Sequence, residues 1–105
     1  MIYVKVNDTL YPATVNGKFT DNNWDGRESK AITLEGNYES INALFIDGTT
    51  WSIVMDEGES QTEYDNSEFN IRGDITIHTD GTCTVKMGKE TALESAYILL
   101  YGGVK

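Results

Sequence analysis

Hydrophobic and polar residues alternate along much of this chain, which is the pattern of β-strands that bury one face. The clearest case surrounds Asp80-Gly81, where Ile75–His78 alternates before the dipeptide and Thr82–Met87 alternates after it. Asp-Gly tolerates the positive φ angles of a tight type I′ turn. The pattern therefore predicts a two-residue hairpin over Ile75–Met87, with one arm on each side of Asp80-Gly81.

The same alternation predicts strands elsewhere, and turn-forming residues separate them. Pro12 cannot donate a hydrogen bond to a neighbouring strand, so it favours an edge position. We therefore expect Ile2–Val6 or Leu10–Val15 to form an open edge that docks another chain. Asn16-Gly17 predicts a turn. Further strands are expected at Lys30–Leu34 and Thr50–Met55, with extended chain over Glu63–Arg72.

Helical spacing interrupts the strand pattern at Tyr38–Phe45, where Ile41, Leu44 and Phe45 predict one short helix. The C-terminal segment from Ala92 is compatible with helix or strand, and its spacing favours a helix that ends near Gly102. The predicted fold is mainly β, α+β at the margin. It is a small twisted antiparallel sheet or partly closed barrel with one or two short helices, in a single domain over residues 1–105.

Charge narrows the classes of partner. The net charge is −9, and the interval from Asn37 to Glu68 carries eight carboxylates without a Lys or Arg. Phosphate backbones and anionic lipids repel such a surface, so we expect neither nucleic-acid nor membrane binding. The acidic interval is expected to be a solvated surface or to face a basic partner. The only cysteine, Cys83, cannot form an intrachain disulfide, and no signal peptide is evident, which together predict cytoplasmic synthesis.

One loop resembles the first half of a calcium-binding loop. Asp21, Asn23 and Asp25 stand at alternating ligand positions, and Gly26 stands where such a loop turns. The twelfth position, which needs a bidentate glutamate, is Ile32. Clusters of Asp, Asn and Gly are also ordinary turn sequences. We therefore predict no metal site and no cofactor, with Asp21, Asn23 and Asp25 as the only calcium candidates.

Two alternatives to a purely structural role remain open. Trp24 stands in the polar loop Asp21–Glu28, which gives a small module a surface for binding a cation or a glycan. His78 and Asp74 are the residues that a small hydrolase would use as base and orienting carboxylate. Cys83 is expected on the buried face and therefore inert. Because His78 is expected to be an ordinary surface residue, the chain is predicted not to be an enzyme and to have no catalytic residues.

A longer pattern runs through most of the chain. It consists of Trp24-Asp-Gly-Arg-Glu-Ser, Tyr38…Leu44-Phe45-Ile-Asp-Gly, Glu63-Tyr-Asp…Glu68-Phe, Gly73-Asp-Ile-Thr…Asp80-Gly-Thr and Met87-Gly-Lys. This pattern resembles small accessory proteins encoded among the tail genes of prophages in Gram-positive bacteria. The resemblance implies a non-enzymatic role in tail or baseplate assembly, with other proteins of a phage-like assembly as partners. It also implies that the protein becomes part of a virion. The expected open edge at Ile2–Val6 or Leu10–Val15 also allows association with a second copy.

Overall fold

The computed structural model describes residues 2–21, 24, 26–91, 93, 94 and 96. These residues form one open, twisted sheet of seven antiparallel strands and one short helix. The prediction of a mainly β fold is confirmed, as an open sheet rather than a barrel. In chain order the elements are β1 (Ile2–Val6), β2 (Thr9–Asp21), β3 (Arg27–Glu35), α1 (Tyr38–Leu44), β4 (Ser52–Asp56), β5 (Gln61–Asp65), β6 (Ile71–Ile77) and β7 (Thr82–Gly88). Across the sheet the order is β5-β4-β1-β2-β3-β7-β6.

The hydrophobic core lies between one face of the sheet and α1. Alternate positions of β1, β3 and β7 point to this face, as the period-two pattern requires. Ile41 and Phe45 from the helix region pack on them, and Trp51 and Phe69 complete the cluster. The buried strand residues are Val4, Val6, Ile32, Leu34, Cys83, Val85 and Met87.

The predicted helix is confirmed, with α1 ending one residue before Phe45. Asn37 forms a capping box at its start, because the Asn37 side chain accepts from the Ser40 N–H at 2.8 Å and the Ser40 hydroxyl accepts from the Asn37 N–H at 3.1 Å. These two bonds satisfy backbone donors that a helix start leaves without partners. The cap fixes where the chain leaves β3 and crosses the core face.

The predicted edge is wrong, because β1 and β2 lie inside the sheet. β1 is paired on both sides, with β2 and β4. β2 pairs with β1 over Thr9–Pro12 and with β3 only from Ala13 onward. The alternation of backbone directions turns the Pro12 nitrogen towards the side of β3, but β2 pairs with β3 only from Ala13 onward, so no ladder hydrogen bond is lost at Pro12. Proline is therefore tolerated within an interior strand, and the sheet edges are β5 and β6.

The predicted turn at Asn16-Gly17 is also wrong, because β2 continues through it with a bulge. The register between β2 and β3 shifts between Asn16 and Phe19. Gly17 has φ of +133°, and a Cβ there would stand 2.9 Å from the Ser29 carbonyl oxygen. A glycine at a bulge and a glycine in a turn share the same backbone freedom, so the dipeptide alone did not separate the two.

The hairpin between β6 and β7 exists, but its turn is longer than predicted. The strands end at Ile77 and Thr82, and the His78 N–H donates to the Thr82 carbonyl at 3.0 Å. Gly81 has φ of +88°, whereas Asp80 is not among the positive-φ residues. A type I′ turn needs two such residues, so this loop is the longer form in which one glycine occupies the left-handed position. The paired positive φ angles occur instead at Asn7 and Asp8, between β1 and β2.

Gly81→Val is expected to lower the free energy of unfolding by about 1–2 kcal/mol, because a β-branched residue resists a positive φ. No atom lies within 4 Å of a Cβ at this position, so the cost is backbone strain alone. Asp8→Gly is the matched control, since it relieves a left-handed residue and should not destabilise the fold. Urea denaturation of both variants checks the assignment, and a Gly81→Val protein as stable as the parent would contradict it.

The acidic interval is solvent-exposed over the hairpin of β4 and β5. Every residue of β5 is exposed. Glu63 lies 3.3 Å from the Lys5 ammonium, and Glu68 lies 3.6 Å from that of Lys89. Surface pairs of this kind contribute little to stability, so most of this charge remains a property of the surface.

The C-terminal helix predicted from Ala92 falls largely outside the described residues, which in that region are Leu93, Glu94 and Ala96. Among the described residues, no helix has the length and apolar character needed to cross a membrane.

Candidate functional site

The calcium candidates lie at the margin of the described structure. Asp21 is the last residue of β2, its side chain is not described, and Asn23 and Asp25 lie outside the described residues. Within the described part of the chain, no three His, Cys, Asp or Glu side chains are close enough to hold a metal ion.

Trp24 packs across the sheet face opposite α1. Its ring is the nearest side chain to a Cβ built on Gly73, at 2.9 Å, and lies 2.7 Å from one built on Gly88. The Arg27 guanidinium stands 4.9 Å from the ring centroid, and the Lys86 ammonium stands 5.9 Å from it. Glycine at both positions lets the ring approach the backbone. The residue that the sequence left open for ligand binding therefore has a packing role.

Arg27 ties this region to the C-terminal segment. Its side chain is only 6% exposed, and its two terminal nitrogens donate to the Glu94 carboxylate at 2.7 and 2.8 Å. It also donates to the Lys89 carbonyl at 2.9 Å. Glu94 accepts from the Thr91 N–H as well, and the Thr91 hydroxyl accepts from the Glu94 N–H. The Thr-x-x-Glu spacing of a capping box was visible in the sequence, but the arginine partner was not.

The stability contributed by Glu94 is expected to disappear in acid. Hydrogen bonds from Arg27, and then from Thr91, lower the pKa of the Glu94 carboxyl from 4.5 to about 2. A carboxyl with a lower pKa in the folded state stabilises the fold above pH 4.5 and loses that effect as the pH falls towards 2. Because the side chain is 44% exposed, solvent reduces the size of the effect.

Melting temperatures of the parent and of Glu94→Gln, measured from pH 6 to pH 2.5, test this expectation. The parent should be the more stable at pH 6, and the difference should shrink as the pH falls. Other carboxylates with lowered pKa, such as Asp56 and Asp80, are present in both proteins and cancel. A difference that stays constant across this range would contradict the role of Glu94.

His78 and Asp74 do not meet within one chain. Three residues of extended chain lie between them, and the four steps from one to the other place their Cα atoms about 13 Å apart. His78 is exposed, as expected for a surface residue, and its Nε2 lies 2.7 Å from the Thr84 hydroxyl. Cys83 is fully buried, as predicted, and its thiol donates to the Gly36 carbonyl at 3.3 Å.

Of the two sheet edges, β5 is the one that opposes self-contact. Glu63 and Asp65 lie on this strand, and Asp56, Glu57 and Glu59 lie just before it. Charged side chains of one sign are a common device that keeps sheet edges from pairing with each other.

The first half of β6 is covered by the chain that follows α1. The Gly48 N–H donates to the Asn70 carbonyl at 2.7 Å, and the Arg72 N–H donates to the Asp47 carboxylate at 3.1 Å. The register between β6 and β7 then shifts between Arg72 and Ile75, which marks a bulge around Gly73. Beyond the bulge, no strand of the described structure pairs with the outer side of β6. The open part of this edge is therefore Asp74–His78.

Backbone groups at Ile75 and Ile77 point away from the sheet. The His78 N–H donates to the Thr82 carbonyl in β7, so the backbone groups of His78 point towards β7. Because backbone directions alternate along a strand, those of Thr76 also point towards β7. A second bond supports this direction. The Lys89 N–H donates to the Glu28 carbonyl, so by alternation Val85 and Cys83 bond to β3, and Thr84 points to β6, where it lies opposite Thr76. Ile75 and Ile77 therefore offer N–H and C=O groups to an added strand.

Side chains on this open segment are suited to contact another protein. Ile77 is 65% exposed on the core face of the sheet, next to Ile75, which packs partly against the core. The opposite face carries Asp74, Thr76 and His78, which are all exposed. The segment can therefore add a strand through its backbone and select it through an apolar face and a polar face.

No family model, curated protein or solved structure matches this chain.

Proposed function

We propose that this protein is a non-enzymatic interaction module that joins a larger assembly by adding a strand to its sheet edge. The single observation that carries the proposal is the open segment Asp74–His78. Its Ile75 and Ile77 backbone groups pair with no strand of the described residues, and its Ile77 side chain is 65% exposed. Strand addition supplies affinity through main-chain hydrogen bonds and specificity through alternate side chains.

The assembly that we propose is a phage or prophage tail or baseplate. Support for it comes from the sequence resemblance, which covers most of the chain, and from the acidic exposed surface around β5, which keeps that side of the molecule in solvent or facing a basic partner. A small domain with one acidic edge and one open edge suits an accessory part that docks in a single orientation. Other proteins of that assembly are its proposed partners.

Ile77→Pro tests the role of the edge. Proline at this position removes an outward N–H but no hydrogen bond to β7, so the domain should still fold. Purified products of the genes that flank this one are mixed with the parent and with the variant, and complexes are measured by size-exclusion chromatography with light scattering. We expect the parent to bind a tail or baseplate protein and Ile77→Pro to lose that binding at least tenfold.

Gln61→Pro, on the acidic edge β5, is the matched control and should leave binding unchanged, because the Gln61 N–H points away from β4. Circular dichroism establishes that both variants are folded. Flanking genes without any tail, baseplate or capsid product would contradict the phage assignment. Equal binding by the parent and by a folded Ile77→Pro variant would contradict the role of the β6 edge.

A further inference from the structure

The open segment of β6 has a self-complementary sequence. Asp74-Ile75-Thr76-Ile77-His78 places an isoleucine on each side of Thr76 and a hydrogen-bonding side chain at each end. We propose that two copies of the protein pair β6 against β6 in antiparallel fashion, about a two-fold axis at Thr76. This inference rests on the proposed interaction role of the β6 edge, and it names a second copy of this chain as the partner.

Backbone directions agree with this register. Ile75 and Ile77 carry the outward N–H and C=O groups, and a two-fold axis at Thr76 brings Ile75 of one copy opposite Ile77 of the other. Residues that face each other in this way exchange both N–H···O bonds, and the intervening Thr76 residues form a pair without backbone bonds. A register displaced by one residue would set inward-facing groups against outward-facing ones and form none of these bonds.

The side chains also fit the register with its two-fold axis at Thr76. On the core face, the exposed Ile77 of each copy meets Ile75 of the other, which removes apolar surface from water. On the opposite face, Asp74 of each copy stands opposite His78 of the other, so a carboxylate meets an imidazole that can donate a hydrogen bond. Residues that one chain holds about 13 Å apart are thus brought face to face by the pairing.

The surroundings limit pairing to this segment. Asp47 and Gly48 occupy the edge before the bulge, and the turn at Gly81 follows His78. Pairing over so few residues buries less than a standard interface of roughly 1,600 Å². We therefore expect a weak dimer, with a dissociation constant of roughly 10 µM to 1 mM, in which two seven-stranded sheets join into one.

Sedimentation equilibrium on the full chain tests the pairing, at about 0.15 M salt so that the net charge is screened. The parent should pass from monomer to dimer as its concentration rises to about 1 mM. His78→Asp sets like charges opposite each other twice in the dimer, and it should raise the dissociation constant about tenfold. The double variant Asp74→His with His78→Asp exchanges the two partners and should restore the parent value within about threefold.

Circular dichroism shows which variants are folded, and only folded proteins enter the comparison. A parent that is monomeric at the highest concentration, a folded His78→Asp variant that dimerises like the parent, or a folded double variant that does not recover would each overturn the pairing. A monomeric parent that still binds a tail protein through β6 would contradict the self-pairing and leave the proposed function standing. A dimeric parent whose Ile77→Pro variant binds a tail protein equally well would contradict the proposed function and leave the self-pairing standing.

Discussion

Trp51→Ala is expected to lower the free energy of unfolding by about 3–5 kcal/mol. Trp51 is 2% exposed, its indole N–H donates to the Phe69 carbonyl at 2.8 Å, and its ring meets that of Phe45 edge to face with centroids 6.3 Å apart. Removing it leaves a cavity between the sheet and α1 and a buried carbonyl without its donor. A loss of this size is a large part of the stability of an ordinary domain.

Urea denaturation measures the loss, and two further variants define its source. Trp51→Phe keeps a ring but removes the N–H, so it should cost about 1–3 kcal/mol. Tyr64→Ala removes an aromatic side chain that is 51% exposed on β5, and it should cost less than about 1 kcal/mol. A Trp51→Ala protein within 1 kcal/mol of the parent would show that the core is not centred on this residue.

Arg27→Ala is expected to cost about 2–4 kcal/mol, which is the second largest effect that the structure implies. The side chain is buried between the Trp24 ring and the Glu94 carboxylate, and its stem packs where Gly88 leaves room for it. The substitution removes this packing together with the link to the C-terminal segment. It should also leave the Trp24 indole more exposed, which intrinsic fluorescence detects as a shift to longer wavelength.

Lys86→Ala is the matched control, because Lys86 also stands over Trp24 but is only half buried. It should cost less than Arg27→Ala. Arg27→Lys keeps the positive charge but lacks the planar fork that binds a carboxylate with two nitrogens, so its loss should be intermediate. An Arg27→Ala protein no less stable than Lys86→Ala would contradict the role given to Arg27.

Local patterns predicted several of the strands and the helix, but not the arrangement of the strands. Alternation along Ile2–Val6 and the spacing of Ile41 and Phe45 predict a strand and a helix because they depend on neighbours in the chain. Which strand lies at the edge depends on pairing between distant segments. β4 follows α1 in the chain, far from β1, and yet it pairs with β1. Pro12 therefore favours an edge when only the sequence is considered. In the structure it lies where β2 stops pairing with β1 and begins to pair with β3, and proline fits at that point.

The candidate site illustrates the same limit. The alternation in Asp74–His78 predicts a strand, but the part of its edge that stays open depends on Asp47, which covers the preceding residues and lies far from them in sequence. His78 and Asp74 invited a catalytic interpretation because they are close in sequence. Extended chain instead holds their Cα atoms about 13 Å apart, so the two side chains do not meet within one chain. Arg27 escaped prediction because its partner, Glu94, lies far along the chain.

Disulfide trapping at Thr76 tests the central claim, that β6 is an interaction edge with a two-fold register, most directly. In the proposed dimer the Thr76 residues face each other with Cα atoms about 4.5 Å apart, which is within the range that a disulfide spans. Thr76→Cys and the β5 control Thr62→Cys are oxidised under identical conditions. The native thiol at Cys83 is buried and present in both.

We predict that Thr76→Cys forms a disulfide-linked dimer rapidly, and that Thr62→Cys forms it slowly because the carboxylates of β5 repel each other. Reducing agent should return the Thr76→Cys dimer to monomer with the circular dichroism of the parent. A Thr76→Cys protein that cross-links no faster than Thr62→Cys would contradict the account.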